Sequence, residues 1–127
     1  MAASGWPPLE VIVTADDLGI CPDRNHGIVK AARCGGITAA SLMANGPAAR
    51  QAVATFAADG NRHMLGLHLN VTEGRPLSPP QRIQSLLRHG GKGGKALFLG
   101  AATFRQAWRV GAIDPNELVQ EVAAQLS

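Results

Sequence analysis

Tyrosine is absent from the 127 residues, and aromatic residues of all kinds make up only 4%. That scarcity argues against the stacked aromatic platforms that bind single-stranded nucleic acid. Cysteine is nearly as scarce. Cys21 and Cys34 are too few for a disulfide framework and read as reduced thiols of a cytoplasmic protein. No apolar run approaches the roughly 20 residues of a membrane span. The opening Met1-Ala-Ala-Ser-Gly-Trp-Pro-Pro8 has neither the basic nor the apolar region of a secretion signal. Charge of one sign is also in short supply: 12 Lys and Arg against 9 Asp and Glu leave +3, too small an excess to imply nucleic acid. What the chain does have is apolar residues, 46% against 17% charged. That is enough for a packed core and incompatible with a disordered tail. The length suits one domain or a piece of a larger one.

The order of elements reads as alternating strand and helix. Leu9-Glu-Val-Ile-Val-Thr14 is short, apolar and β-rich, and predicts a buried strand, with Ala15–Gly19 as the turn after it. Asp23 stands where it could cap a helix with Ile28, Val29, Ala31 and Ala32 on one stripe, ended by Gly35-Gly36. Ile37–Met43 predicts a second strand, residues 47–59 a second helix opened by Pro47, and Met64–Asn70 a third strand. That alternation implies an α/β fold with parallel pairing. Residues 74–113 hold seven Lys and Arg and no acid, with prolines at 76, 79 and 80, and read as a long surface loop with one short helix near 101–110. Asp114-Pro-Asn-Glu117 opens a last helix carrying Leu118, Val119, Val122 and Leu126.

Two features could carry chemistry. Asp16 and Asp17 are adjacent acids after a buried strand, and in parallel α/β folds the carboxyl ends of strands face the ligand crevice. Neighbouring carboxylates repel unless a cation sits beside them, so one acid could hold a metal while the other takes a proton from water. A solvated capping pair is the competing reading. In Gly66-Leu67-His68-Leu69-Asn70, alternation puts Leu65, Leu67 and Leu69 on one face, under helices, and Gly66, His68 and Asn70 on the other. His68 then points toward the rim that holds the acid pair, as a metal ligand would. A hydrogen-bonded core histidine is the alternative. Glu73 and Arg75 could reach the same cleft or form a solvated turn. Gly90–Lys95 lacks phosphate-loop spacing, since Ala96 stands where a hydroxyl is required. His26, His63 and His89 read as surface residues, and Cys21 as packing.

Val13-Thr-Ala-Asp-Asp-Leu-Gly19 and Gly66-Leu-His-Leu-Asn-Val-Thr-Glu-Gly-Arg-Pro76, with Ser41–Gly46 and Phe98–Gly100 between and after them, together resemble the YdjC-like carbohydrate deacetylases. The resemblance runs from Leu9 through nearly the whole chain. It implies the N-terminal part of an irregular (β/α) barrel of the glycoside hydrolase/deacetylase kind. It also implies a hydrolase that removes acetyl groups from N-acetylated oligosaccharides. By similarity Asp16 is the general base, and Asp17 and His68 are metal ligands. The family metal is magnesium, although an imidazole ligand suits zinc or another transition ion better.

The family completes its metal site with a further histidine in a downstream His-rich motif, and no histidine follows His89 here. The expectation is therefore a truncated domain over residues 1–127 with two of three protein ligands, whose open strand edges could pair with a second copy. Two other readings compete. One is a non-catalytic product of the same gene. The other is a phospho-receiver domain, which would need an acid at the end of strand three.

Overall fold

A computed structural model describes residues 7–88 and 95–127 of the chain. His89 and most of the Gly90–Lys95 stretch lie outside the described residues. Three parallel strands form one sheet in the order β1-β2-β3: β1 (Thr14–Leu18), β2 (Ala39–Leu42) and β3 (Leu65–Leu67). Helix α1 (Pro22–Arg33) connects β1 to β2, and α2 (Ala49–Ala58) connects β2 to β3. The α/β class and the parallel pairing match the sequence reading.

The first strand does not lie where the apolar run predicts it. β1 begins at Thr14 and includes both acids, whereas Leu9, Val11, Ile12 and Val13 are exposed. Pairing explains the shift. β2 becomes extended only after the Gly35-Gly36 turn, and its first contacts are Thr38 N and Ala39 N donating to the Val13 carbonyl, at 2.9 and 3.2 Å. Residues before Val13 have no β2 backbone beside them. β2, α2 and β3 are each shorter than their sequence signals by one or more residues at each end. Pro47 precedes the helix it was expected to open, and Asp23 lies in the first turn of α1 without capping it, because Cys21 is the capping residue.

Leu18 of β1, Ala40 of β2, Ile28 and Val29 of α1, and Ala52 and Phe56 of α2 bury one face of the sheet. At the far ends of the two helices Arg33 donates to both carboxylate oxygens of Asp59, at 2.7 and 2.9 Å. That hydrogen bond keeps the Asp59 carboxyl below its ordinary range.

Residues 74–113 are more than a surface loop. Ile83, Leu86, Leu87, Phe98 and Ile113 form a second buried cluster, with an isolated antiparallel bridge between Leu87 and Phe98. Pro80–Arg82 and Gln84–Leu86 are single 3-10 turns, so their apolar residues follow neither the helical nor the strand period. The short helix is present as α3 (Ala101–Arg109).

Helix α4 (Pro115–Leu126) begins where Asp114 accepts from Asn116 N at 2.8 Å, as its cap sequence predicts. Its inward face sets polar groups beside Leu118, which packs against the second cluster. Val119 and Leu126 are exposed, and Glu121 and Gln125 are buried. Glu117, Glu121 and Gln125, spaced four apart, line one face and supply what the preceding loop lacks. Glu117 accepts from Ser85 N at 2.7 Å. Glu121 accepts from Leu77 N and Ser78 N at 3.0 and 2.9 Å. Gln125 accepts from Asn70 N at 3.1 Å and donates to Asn70 O at 2.6 Å. Loop backbone can be buried only when its polar groups find such partners. Leu69, predicted to lie under a helix, is half exposed beside Trp108 in an apolar groove between α3 and α4 of about 320 Å³.

Removing the Glu121 carboxylate strands two backbone N–H groups. Glu121→Ala is expected to lower unfolding free energy by about 2–4 kcal/mol, read from the urea midpoint. Val119→Ala, at an exposed position of the same helix, should cost under about 0.5 kcal/mol.

Candidate active site

Two adjacent residues of a regular strand face opposite ways, yet Asp16 and Asp17 both turn toward His68. The register shows why. Ala15 pairs with Ala40 and Leu18 with Leu42, so the two residues Asp16 and Asp17 oppose the single residue Ser41. This is a β-bulge, which inserts a residue and re-aims its side chain. Asp17 takes the left-handed conformation, with φ 62°, alone among the described non-glycine residues. Asp tolerates that region better than most residues, because its short polar side chain can bond locally.

The three strands deliver their groups to one point at the carboxyl end of the sheet. His68 Nδ1 lies 3.3 Å from Asp16 Oδ1, 3.5 Å from Asp17 Oδ1 and 3.3 Å from Ser41 Oγ. Ser41 Oγ donates a short hydrogen bond to Asp16 Oδ1. Arg24 Nη1, from the first turn of α1, approaches Asp17 Oδ2 at 3.3 Å. The site is open: the Asp16 side chain is 72% exposed, and those of Asp17 and His68 are 36% and 30% exposed. His68 N donates to Leu42 O at 2.8 Å, extending the β3 ladder far enough to fix the ring on this face.

The donor set can be tested against a metal ion. Two donors bound to one ion at about 2.1 Å in tetrahedral geometry stand about 3.4 Å apart. Asp17 Oδ1 and Asp16 Oδ1, 3.5 and 3.3 Å from His68 Nδ1, both fit that spacing. Either acid with His68 would supply half of a tetrahedral set, a half-site. Among the described residues no group of three or more His, Cys, Asp or Glu side chains is disposed as a complete set of ligands, and Asp16 meets the imidazole through the oxygen that Ser41 holds.

A family model described as YdjC-like protein matches residues 10–127. The chain belongs to the YdjC-like family. It is 42% identical over 123 residues to a carbohydrate deacetylase of Homo sapiens, covering 95% of this chain and 36% of that protein. It is 34% identical over 115 residues to a chitooligosaccharide deacetylase of Yersinia pestis, covering 91% of this chain and 41% of that one. The chain thus spans about two fifths of the length of these curated relatives. A protein of Enterococcus faecalis V583, whose crystal structure is described as that of a candidate cellobiose-phosphate cleavage protein, shares the fold. Its TM-score is 0.74 at 24% identity, over 90% of this chain and 41% of that one.

In this YdjC-like chain three asparagines that the sequence reading passed over, or left without a role, brace the rim. Buried Asn25 accepts from Gly19 N at 2.7 Å and donates to Ala48 O at 3.0 Å, tying the end of the bulged strand to α2. Asn45 donates to the carbonyls of Glu73 and Arg75, at 3.0 and 2.9 Å. Asn70 accepts from Glu73 N at 3.0 Å and closes its own turn. Asn25 was findable, because it shares the helical stripe of Ile28 and Val29, where an apolar residue would be expected. Gly19 and Gly46 touch back to back. A Cβ on Gly46 would strike the Gly19 carbonyl, so the loop after β2 admits no side chain there. Glu73 and Arg75 are exposed, as are His26, His63 and Cys21, so Cys21 is not a packing residue. A phospho-receiver would need an acid at the end of β3, where His68 stands.

The left-handed Asp17 makes the bulge testable. Asp17→Val places a β-branched residue at positive φ and should lower stability by about 1–3 kcal/mol. Asp17→Gly should stay within about 1 kcal/mol of the parent. Thermal unfolding of the two variants side by side checks this.

Proposed function

We propose that the chain carries the N-terminal part of a (β/α)-barrel carbohydrate deacetylase that hydrolyses the amide of N-acetylated oligosaccharides. The observation that carries this reading is the convergence of Asp16, Asp17 and His68 on one point of a YdjC-like sheet. The names of the relatives support the reaction class.

In this proposal Asp16 is the general base, and Asp17 with His68 holds a divalent cation, magnesium by family or zinc by ligand chemistry. When bound, the ion supplies a Lewis acid that polarises the acetyl carbonyl. Asp16, the most exposed of the three, takes the proton of a water as its oxygen bonds to the acetyl carbon. The C–N bond then breaks as the nitrogen receives the proton Asp16 took and the second proton of that water, leaving acetate and a protonated sugar amine. The open rim leaves room for an oligosaccharide to lie across the strand ends. Both cysteines are free, in keeping with a cytoplasmic enzyme. No helix among the described residues is long and apolar enough to cross a membrane.

Calorimetric titration with Zn²⁺ and Mg²⁺ tests the half-site. The parent chain should bind one ion, and Asp17→Ala and His68→Ala should each weaken binding by about tenfold or more. Asp16→Asn should still bind the ion but lower acetate release from chitooligosaccharides by about 100-fold or more. A parent that binds neither ion marks the chain as a non-catalytic product.

A further inference from the structure

We propose that Ser41 is a positioning residue, its hydroxyl locking the Asp16 carboxylate in one orientation beside the His68 ring. The inference rests on the deacetylase reading for its kinetic consequence, but not for its geometry. Ser41 is the one residue of β2 opposite the two-residue bulge, and on the next strand it pairs with Gly66. A Cβ on Gly66 would find nothing nearer than the Ala40 carbonyl at 4.0 Å, so this face of β3 stays clear beside the serine. Ala40 and Leu42, on either side of Ser41, turn into or against the core. Ser41 therefore faces the rim between the acid on β1 and the imidazole after β3.

The bonding is directional. A carboxylate can only accept, so the Ser41 proton goes to Asp16 Oδ1. With that proton committed, the serine oxygen offers only lone pairs to His68 Nδ1 at 3.3 Å, so it accepts from that nitrogen when the ring is protonated there and gives way when Nδ1 is a metal donor. Asp16 needs such a hold. Its side chain is 72% exposed and stands next to a second carboxylate, and no arginine or lysine among the described residues bonds it, whereas Arg24 bonds Asp17. An exposed carboxylate that a like charge repels would otherwise turn toward solvent and exchange rotamers. A base held in one orientation is worth far more in a reaction than one that must be found there.

Two measurements on the same proteins test the proposal. Three-bond couplings in the isotopically labelled chain report the Asp16 χ1 rotamer. The parent and Ser41→Thr should show one rotamer and Ser41→Ala an average of several, with unfolding temperatures alike. In acetate release from chitooligosaccharides, Ser41→Ala should lower kcat by about tenfold to 100-fold with KM within about twofold, and Ser41→Thr should recover most of kcat. An unchanged single Asp16 rotamer in Ser41→Ala overturns the proposal. So does a kcat loss that Ser41→Thr fails to recover while its rotamer is held. If the parent releases no acetate, the deacetylase reading of this chain fails, while the couplings still decide what Ser41 does.

Discussion

One extra residue in β1 is the constraint on which the site depends. Without the bulge, strand alternation would send one of the two adjacent acids toward the helices and leave the other alone at the rim. With it, Asp16 and Asp17 share a face, at the cost of a left-handed backbone at Asp17. Such a conformation costs on the order of 1–3 kcal/mol and persists only where its surroundings over-determine it. Those surroundings are visible. Leu18 is fully buried just after the bulge, Gly19 is gripped by Asn25, and Gly46 packs against Gly19 with no room between.

The other half of the site is fixed from further away. Two residues after His68, the N–H and carbonyl of Asn70 are both held by Gln125 of α4. Gln125 also donates to Glu121, which in turn holds Leu77 and Ser78. The polar face of α4 thus sets the course of the chain leaving β3. The asparagines at 45 and 70 join that course to the end of β2, where Asn45 Oδ1 accepts from Asn70 Nδ2 at 3.1 Å. The site and the second core are mechanically connected even though they share no apolar residue.

The sequence was legible where period and punctuation carry the information. The strand and helix order, the cap at Asp114 and the facing of His68 all follow from alternation, caps and glycine. Three things were not legible, for different reasons. The start of β1 depends on where its partner becomes extended, which local composition does not encode. The bulge leaves a run that reads as a turn, because a left-handed residue among polar ones has that signature. The inward face of α4 was not read, because its apolar residues served only as a helix signal, while the groups that are most buried are a glutamate and a glutamine whose partners are loop amides. The signal for such a face is polar residues repeated at intervals of four beside a long connection that needs acceptors.

The two acids, alike in sequence, end in unlike surroundings, and this supports giving them different proposed roles. Asp17 has one oxygen toward His68 and the other toward Arg24, so its charge is already compensated and its orientation is held from both sides. That suits a ligand, which must stay in place and ionised. Asp16 is held by a neutral hydroxyl and is the most open to solvent. That suits a base, which must meet water and take up a proton without breaking an ion pair to do so. The bulge makes the asymmetry possible. It brings the carboxylates to one face but places them at different depths on it, one against the first turn of α1 and the other over the middle of β2.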